Sequence, residues 1–176
     1  GCLAGVVTFR NHPASVLWPD FRPRYLTAVD ERLRLIEDLG VEFIVPITFD
    51  LELSLLSARR FAALLHKRLR MRGLVIGPDF AMGHQREGDA KTLASLGREM
   101  GFFLRVVEPF VDDGGQTVRS TTVREALIAG DVTRVAAQIG RNFSLIGTVG
   151  RGAGRGGPLG FPTANIELAE GMAFPG

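Results

Sequence analysis

Through residues 1–110 the chain alternates short apolar runs with stretches of three-to-four periodicity, and this alternation constrains its fold more than any other feature. Residues 4–9, 41–47, 73–77 and 102–110 are compact and rich in Val, Ile, Leu and Phe, as strands buried on both faces are. Between them lie helical patterns. Thr27 is placed to cap one in which Val29, Leu33, Ile36 and Leu39 share a face before Gly40 stops it. Ser57 opens a second, with Phe61, Leu64, Leu65 and Leu69 on one side, and residues 90–100 form a third that ends at Gly101. Strands alternating with helices of this length predict an α/β fold with a parallel sheet wrapped by helices. Ligands of such sheets bind beyond the carboxyl ends of the strands, so the loops there carry the chemistry.

The pattern changes near Asn142. Residues 144–149 are strand-like, a run of Gly and Arg follows, and then comes Phe161-Pro162-Thr163-Ala164-Asn165-Ile166 with no helical stretch between. This predicts the opening of an all-β module, with a boundary in the region 138–143 and domains at 1–141 and 142–176. The chain opens on Gly1 rather than Met and closes on Gly176 directly after Phe174-Pro175, and it reads as part of a longer protein.

Charge narrows the function classes. The net charge is only +2, and Lys67 and Lys91 are the only lysines, so nearly all positive charge is arginine. Arginine suits planar, bidentate recognition of phosphate, whereas a nucleic-acid surface calls for a clustered basic face. The expectation is therefore no nucleic-acid partner. A lone cysteine, Cys2, allows neither an internal disulfide nor a cysteine-based zinc site, as in cytoplasmic proteins. No apolar run approaches the roughly 18 residues a membrane span needs.

Three stretches carry candidate chemistry. Residues 77–89 follow the third strand directly. Glycines 77, 83 and 88 permit tight turns and close approach to a ligand. Asp79, at the strand's carboxyl end, is placed to accept hydrogen bonds from a nucleotide or ribose, and Arg86 is placed to meet a phosphate; Asp89 equally suits the N-cap of the next helix. The second stretch is Arg119-Ser120-Thr121-Thr122-Val123-Arg124-Glu125, opening a helix that runs to Ala129. Hydroxyls at a helix start, with free backbone N–H groups and the positive end of the dipole, make an anion site, and Arg124 lies one turn further on. Ser120 or Thr121 with Glu125 is also a simple capping arrangement.

The third runs from Gly147 to Asn165. It is a Gly-rich loop between strands, able to wrap phosphates with backbone N–H groups, and it lacks the Lys-Ser/Thr and following helix of a P-loop. Thr163 and Asn165, two apart on a strand, face one side, where a hydroxyl and an amide oxygen can help hold magnesium and a phosphate oxygen. His12-Pro13 follows the first strand, a place from which the histidine could touch a nucleotide or serve the loop structurally. His66 and His84 have no second ligand at metal spacing, Trp18 and Tyr25 read as packing aromatics, and Cys2 has no base beside it.

Taken together, Val7-Thr8-Phe9 with His12-Pro13, Phe49-Asp50, Gly77-Pro78-Asp79-Phe80 with Gly83, Ser120-Thr121 with Arg124, and Gly160-Phe161-Pro162-Thr163-Ala164-Asn165 resemble the bacterial bifunctional riboflavin kinase/FMN adenylyltransferase (FAD synthetase) family. The resemblance covers essentially the whole chain. It implies a Rossmann-like nucleotidyltransferase domain followed by the start of a small riboflavin-kinase β-barrel. It also implies two reactions: riboflavin takes the γ-phosphoryl of ATP to give FMN, and FMN attacks the α-phosphorus of a second ATP to give FAD and pyrophosphate. Magnesium would be required; ATP, riboflavin and FMN would be the substrates; self-association of the full-length chain is left open.

By the same resemblance, His12, Asp79 and Phe80 would contact nucleotide or flavin, and Ser120, Thr121 and Arg124 would hold ATP phosphates. Gly152, Gly156, Gly160 and Pro162 would shape a loop over the kinase phosphates, with Thr163 and Asn165 binding magnesium-nucleotide. The family's His-x-Gly-His motif would precede residue 1 and its kinase glutamate would follow Gly176, so the 176 residues alone are expected to be inactive. Arg119 stands where the family usually has serine, and Gly157 where it usually has arginine. Two rivals make distinct predictions. Other nucleotidyltransferases, such as pantetheine-phosphate adenylyltransferases or cytidylyltransferases, lack the Phe-Pro-Thr-Ala-Asn module. A noncatalytic nucleotide- or RNA-binding module would bind through the Gly/Arg run with a steep salt dependence.

Overall fold

The computed structural model describes residues 1–150 and 164–175. Among them the first strand, β1 (Gly5–Phe9), leads through a short helix, α1 (Pro13–Leu17), and then α2 (Val29–Glu37) to β2 (Phe43–Ile47). There follow α3 (Leu51–Ser54), α4 (Ala58–Leu69), β3 (Gly73–Ile76), α5 (Ala90–Met100) and β4 (Phe103–Val106). The remainder is α6 (Ser120–Ile128), α7 (Val132–Ile139), β5 (Gly147–Gly150) and β6 (Asn165–Leu168).

The helices begin where side-chain oxygens can satisfy their free N–H groups. Ser57 Oγ accepts from Arg60 N at 3.2 Å to open α4, Asp89 from Thr92 N at 2.8 Å to open α5, and Asp131 from Arg134 N at 3.0 Å to open α7. One expected cap differs. The first long helix starts at Val29 behind Ala28, which makes no side-chain cap; Asp30 and Glu31 in its first turn favour the positive dipole end instead of Thr27. Three short helices, α1, α3 and α7, go beyond the expected elements. Each is eight residues or fewer, too brief for periodicity alone to separate from loop.

The class is mixed α/β. Instead of one continuous parallel sheet, the described residues hold two parallel pairs, β1 with β2 and β3 with β4. Their registers run Gly5 opposite Phe43 to Phe9 opposite Ile47, and Gly73 opposite Phe103 to Ile76 opposite Val106. The expected fourth strand stops at Val106, and the chain then turns back on itself with a bridge between Val111 and Thr117. β5 and β6 pair antiparallel, from Gly147 opposite Leu168 to Gly150 opposite Asn165.

Two cores hold these elements. In the first, Ala58, Phe61, Ala62 and Leu65 of α4 pack with Leu93 and Leu96 of α5 over Ile76 and Phe102. In the second, Val123, Ala126 and Leu127 of α6 meet Val135 of α7 and Ala173, with Phe143 at the border. Ala173 lies far along the chain from α6, yet its methyl is only 2 % exposed. The first core backs the loop that follows β3, and the second carries the start of α6.

Candidate functional site

The site grows from the carboxyl ends of the parallel strands. Beyond β1 and β2 the ladder continues through Arg10 N to Ile47 O at 2.9 Å. The Asn11 amide then takes the place of backbone: its Nδ2 donates to Phe49 O and its Oδ1 accepts from Phe49 N, both at 2.8 Å. Phe9 and Phe49 meet edge-on with ring centroids 5.2 Å apart. This clasp fixes the direction in which the chain leaves β1.

His12 comes next and caps α1, its Nδ1 accepting from Ala14 N at 3.1 Å. That bond places the proton of the neutral ring on Nε2. The imidazole lies over Phe21 at 4.9 Å, and its backbone N–H donates to the Tyr25 hydroxyl at 3.1 Å. Partial burial, and then the nearby charge of Arg124, hold the His12 pKa below the ordinary imidazole value. A neutral imidazole beside an arginine suits a site that receives an anion.

Beyond β3, Phe80 N turns back to Gly77 O at 3.2 Å, and Arg86 donates to the Asp79 carbonyl at 3.1 Å. Arg86, expected to face a phosphate, here braces its own loop. Gly83, at positive φ, makes the tight turn expected of it, and both Gly83 and Gly88 have a further reason in the packing of the loop. A Cβ at Gly83, where φ is +81°, would lie 2.3 Å from Ala58 N, and one at Gly88 would lie 2.5 Å from the Ala58 methyl. Both glycines let the loop press against the start of α4, where Glu87 accepts from Ala58 N at 2.7 Å. The loop is thus anchored at its far end, leaving Asp79 and Phe80 exposed at the strand end.

Asp79 meets Arg119 as an ion pair at 2.8 Å. Arg119 is the N-cap of α6, and the capping partner is Thr122 rather than Glu125: its Oγ1 accepts from Arg119 N at 3.2 Å and donates to Arg119 O at 2.9 Å. With Thr122 occupied, Ser120 and Thr121 remain exposed at the helix start with free N–H groups beside them. One turn on, Arg124 donates through Nε to Arg24 O at 2.6 Å. The two arginines therefore join α6 to two different segments, Arg119 to the loop after β3 and Arg124 to the stretch between α1 and α2. Among the described residues no salt bridge engages Arg124.

The remaining sequence candidates lie elsewhere. Asn165 opens β6, exposed and opposite Gly150, and no described contact joins it to α6. Gly152, Gly156, Gly160, Pro162 and Thr163 lie outside the described residues. Among the described residues no three His, Cys, Asp or Glu side chains gather at metal-binding distance, and no helix is long and apolar enough to cross a membrane. Sequence reasoning missed the Asn11–Phe49 clasp, the Asp79–Arg119 pair and the contacts of Tyr25. Only Arg119 left a trace in the sequence, as an arginine at a helix start.

Known proteins resemble the chain along its length. Residues 1–122 match the family model described as FAD synthetase, and residues 139–176 match that described as riboflavin kinase. The bifunctional riboflavin kinase/FMN adenylyltransferase of Escherichia coli strain K12 is 35% identical over 164 residues, which are 93% of this chain and 52% of that protein. The protein of the same name from Bacillus subtilis strain 168 is 31% identical over 177 residues, 99% of this chain and 55% of that one. A solved structure described as a macrolide-efflux protein from Streptococcus pneumoniae superposes with a TM-score of 0.85 at 27% identity, covering 97% of this chain and 55% of that one. The chain spans about half the length of the curated relatives it matches.

Proposed function

Because the chain belongs to the FAD synthetase family, whose model it matches over residues 1–122, we propose that its protein makes FAD from riboflavin in two steps. In the first, the riboflavin 5′-hydroxyl takes the γ-phosphoryl of ATP and releases ADP. In the second, a phosphate oxygen of FMN attacks the α-phosphorus of another ATP, the bond to the β-phosphate breaks, and pyrophosphate leaves.

The observation that carries this reading is the joining of the loop after β3 to the start of α6 through Asp79 and Arg119. It sets exposed hydroxyls, free backbone N–H groups and Arg119 beside a strand end, with Arg124 one turn further along α6, a set that suits a triphosphate. Ser120 and Thr121 would donate to phosphate oxygens, while the guanidinium of Arg124 would neutralise charge that builds on the leaving pyrophosphate. His12, neutral with its proton on Nε2, would donate a hydrogen bond without competing for a cation. Asp79 and Phe80, exposed beside them, would contact nucleotide or flavin. Positioning and charge neutralisation would do the catalysis, with no protein nucleophile.

The finer architecture belongs to the same proposal. Residues 1–141 would form a Rossmann-like nucleotidyltransferase domain, and residues 142–176 the first strands of a riboflavin-kinase barrel, with β5 and β6 as its opening hairpin. There Asn165 would offer an amide oxygen, a donor type that fits magnesium, with Thr163 and the loop of Gly152, Gly156, Gly160 and Pro162 around the phosphates. Magnesium, when bound, would supply charge neutralisation to the transferred phosphoryl. The protein would act in the cytoplasm on small molecules.

The test uses the full-length protein carrying this sequence. Incubated with riboflavin, ATP and magnesium, it is expected to produce FMN and then FAD, resolved by chromatography. Supplied with FMN and ATP, it should release pyrophosphate in step with FAD. Failure to convert either flavin would overturn the proposal.

A further inference from the structure

We propose that Tyr25 is a positioning residue for the adenylyl-transfer site, held in place by the backbone of residues 171–173; the inference rests on the function proposed above. Tyr25 lies between α1 and α2, outside any helix or strand longer than a single bridge. Its N–H donates to Gly171 O at 2.7 Å and its carbonyl accepts from Ala173 N at 2.8 Å, a one-residue parallel bridge to Met172. The match to riboflavin kinase covers these residues, and the match to FAD synthetase covers Tyr25. The bridge therefore ties the two matched regions together.

Both ends of this tie are built to hold. Gly171 adopts φ +76°, and a Cβ there would lie 3.0 Å from Pro23 O and 3.6 Å from the Tyr25 ring. The absent side chain lets the tyrosine segment lie directly against the backbone. Ala173 is buried among Val123, Ala126 and Leu127 of α6, the helix whose start is the candidate phosphate site. The segment is thus seated on α6 by a methyl and grips Tyr25 by its backbone.

From Tyr25 the constraint passes to two site residues. Its hydroxyl accepts the His12 N–H at 3.1 Å, fixing the turn by which the chain leaves β1. The neighbouring carbonyl, Arg24 O, accepts Arg124 Nε at 2.6 Å, which orients the guanidinium and leaves its terminal nitrogens for an anion. Within two consecutive residues the chain holds both the backbone of His12 and the guanidinium of Arg124. A packing aromatic, the reading its sequence invited, would explain the ring but not the hydroxyl.

The test is Tyr25→Phe in the full-length protein, which removes the hydroxyl and keeps the ring and backbone bridge. The KM for ATP in adenylyl transfer is expected to rise about fivefold, the scale of one lost hydrogen bond, with kcat within about twofold. Riboflavin phosphorylation should be unchanged. A uniform loss of kcat at constant KM, tracking lost folded protein, would mean a structural role alone and overturn the proposal. A second readout needs no activity. Amide hydrogen exchange of a peptide spanning residues 10–14 should quicken in Tyr25→Phe and in Gly171→Val, which crowds Pro23 O; unchanged exchange in both variants would overturn the clasp. Should the unaltered protein lack adenylyl transfer, the proposed function fails, and the exchange measurement decides the role of Tyr25 by itself.

Discussion

Asp79 and Arg119 form an ion pair at 2.8 Å that joins the loop after β3 to the N-cap of α6. Both side chains are more than half exposed, at 69% and 57%, so the pair contributes little to stability in water. Its consequence is geometric. It sets a carboxylate, a guanidinium and the start of a helix side by side. The two charges therefore partly neutralise one another.

Replacing Asp79 with alanine should separate these roles. The change is expected to alter folding stability by less than about 1 kcal/mol, because an exposed pair is screened by water and salt. Adenylyl transfer should fall by about tenfold or more, because a group proposed to contact the nucleotide is lost. Urea denaturation beside steady-state kinetics of the full-length protein reads both. A stability loss that matches the activity loss would show a structural carboxylate only.

Arg124 should not tolerate lysine. Arg124→Ala is expected to weaken ATP binding about tenfold, the loss of one charge-assisted contact. Arg124→Lys should recover less than half of that free energy. A single ammonium cannot keep the Arg24 carbonyl and present a planar pair of donors to phosphate as well. Isothermal titration with ATP measures both variants, and equal affinity for the lysine variant and the unaltered protein would count against a forked contact.

The lowered pKa of His12 has a definite sign. The folded protein binds fewer protons at this site than the unfolded chain, so stability from His12 is full above the unfolded value of about 6.5. It falls as the pH drops through that value and levels off below the folded one. Urea midpoints from about pH 5 to pH 8 should therefore decline on the acid side, more steeply than in His12→Gln. A bound triphosphate would offset the Arg124 charge, so ATP should raise the His12 pKa, visible in proton NMR of the ring. A downward movement on binding would place the phosphates elsewhere.

Gly83 should be close to irreplaceable. At φ +81° an alanine is strained, and its methyl would strike Ala58 backbone. The expected cost of Gly83→Ala is about 2 kcal/mol or more, read from urea denaturation. Because the loop is anchored there, ATP binding should weaken as well, even where the variant remains folded. A neutral substitution would show that the loop can lift from α4 freely.

Much of this arrangement was legible before any fold was drawn. Ser57 and Asp89 announced α4 and α5, and short apolar runs marked the four strands that pair in parallel. Those features are short-range: a cap, a turn or a periodic face is set within a few residues, and the sequence states it directly. The cap of α6 was the exception, since several hydroxyls in a row offered themselves and Thr122, not Glu125, took the Arg119 backbone. The two parallel pairs in place of one continuous sheet were likewise beyond local patterns, which define strands but not their neighbours.

Sequence by itself determined the four parallel-paired strands, the longer helices α2, α4, α5 and α6, and the glycines that end α5 and turn the loop after β3. Tertiary structure alone decided that Asp79 answers Arg119, that Asn11 clasps Phe49, and that Tyr25 is gripped between Gly171 and Ala173. The reason is physical. Local conformation follows from neighbouring residues, whereas a contact between distant segments exists only once two cores have packed and brought their surfaces within hydrogen-bonding distance.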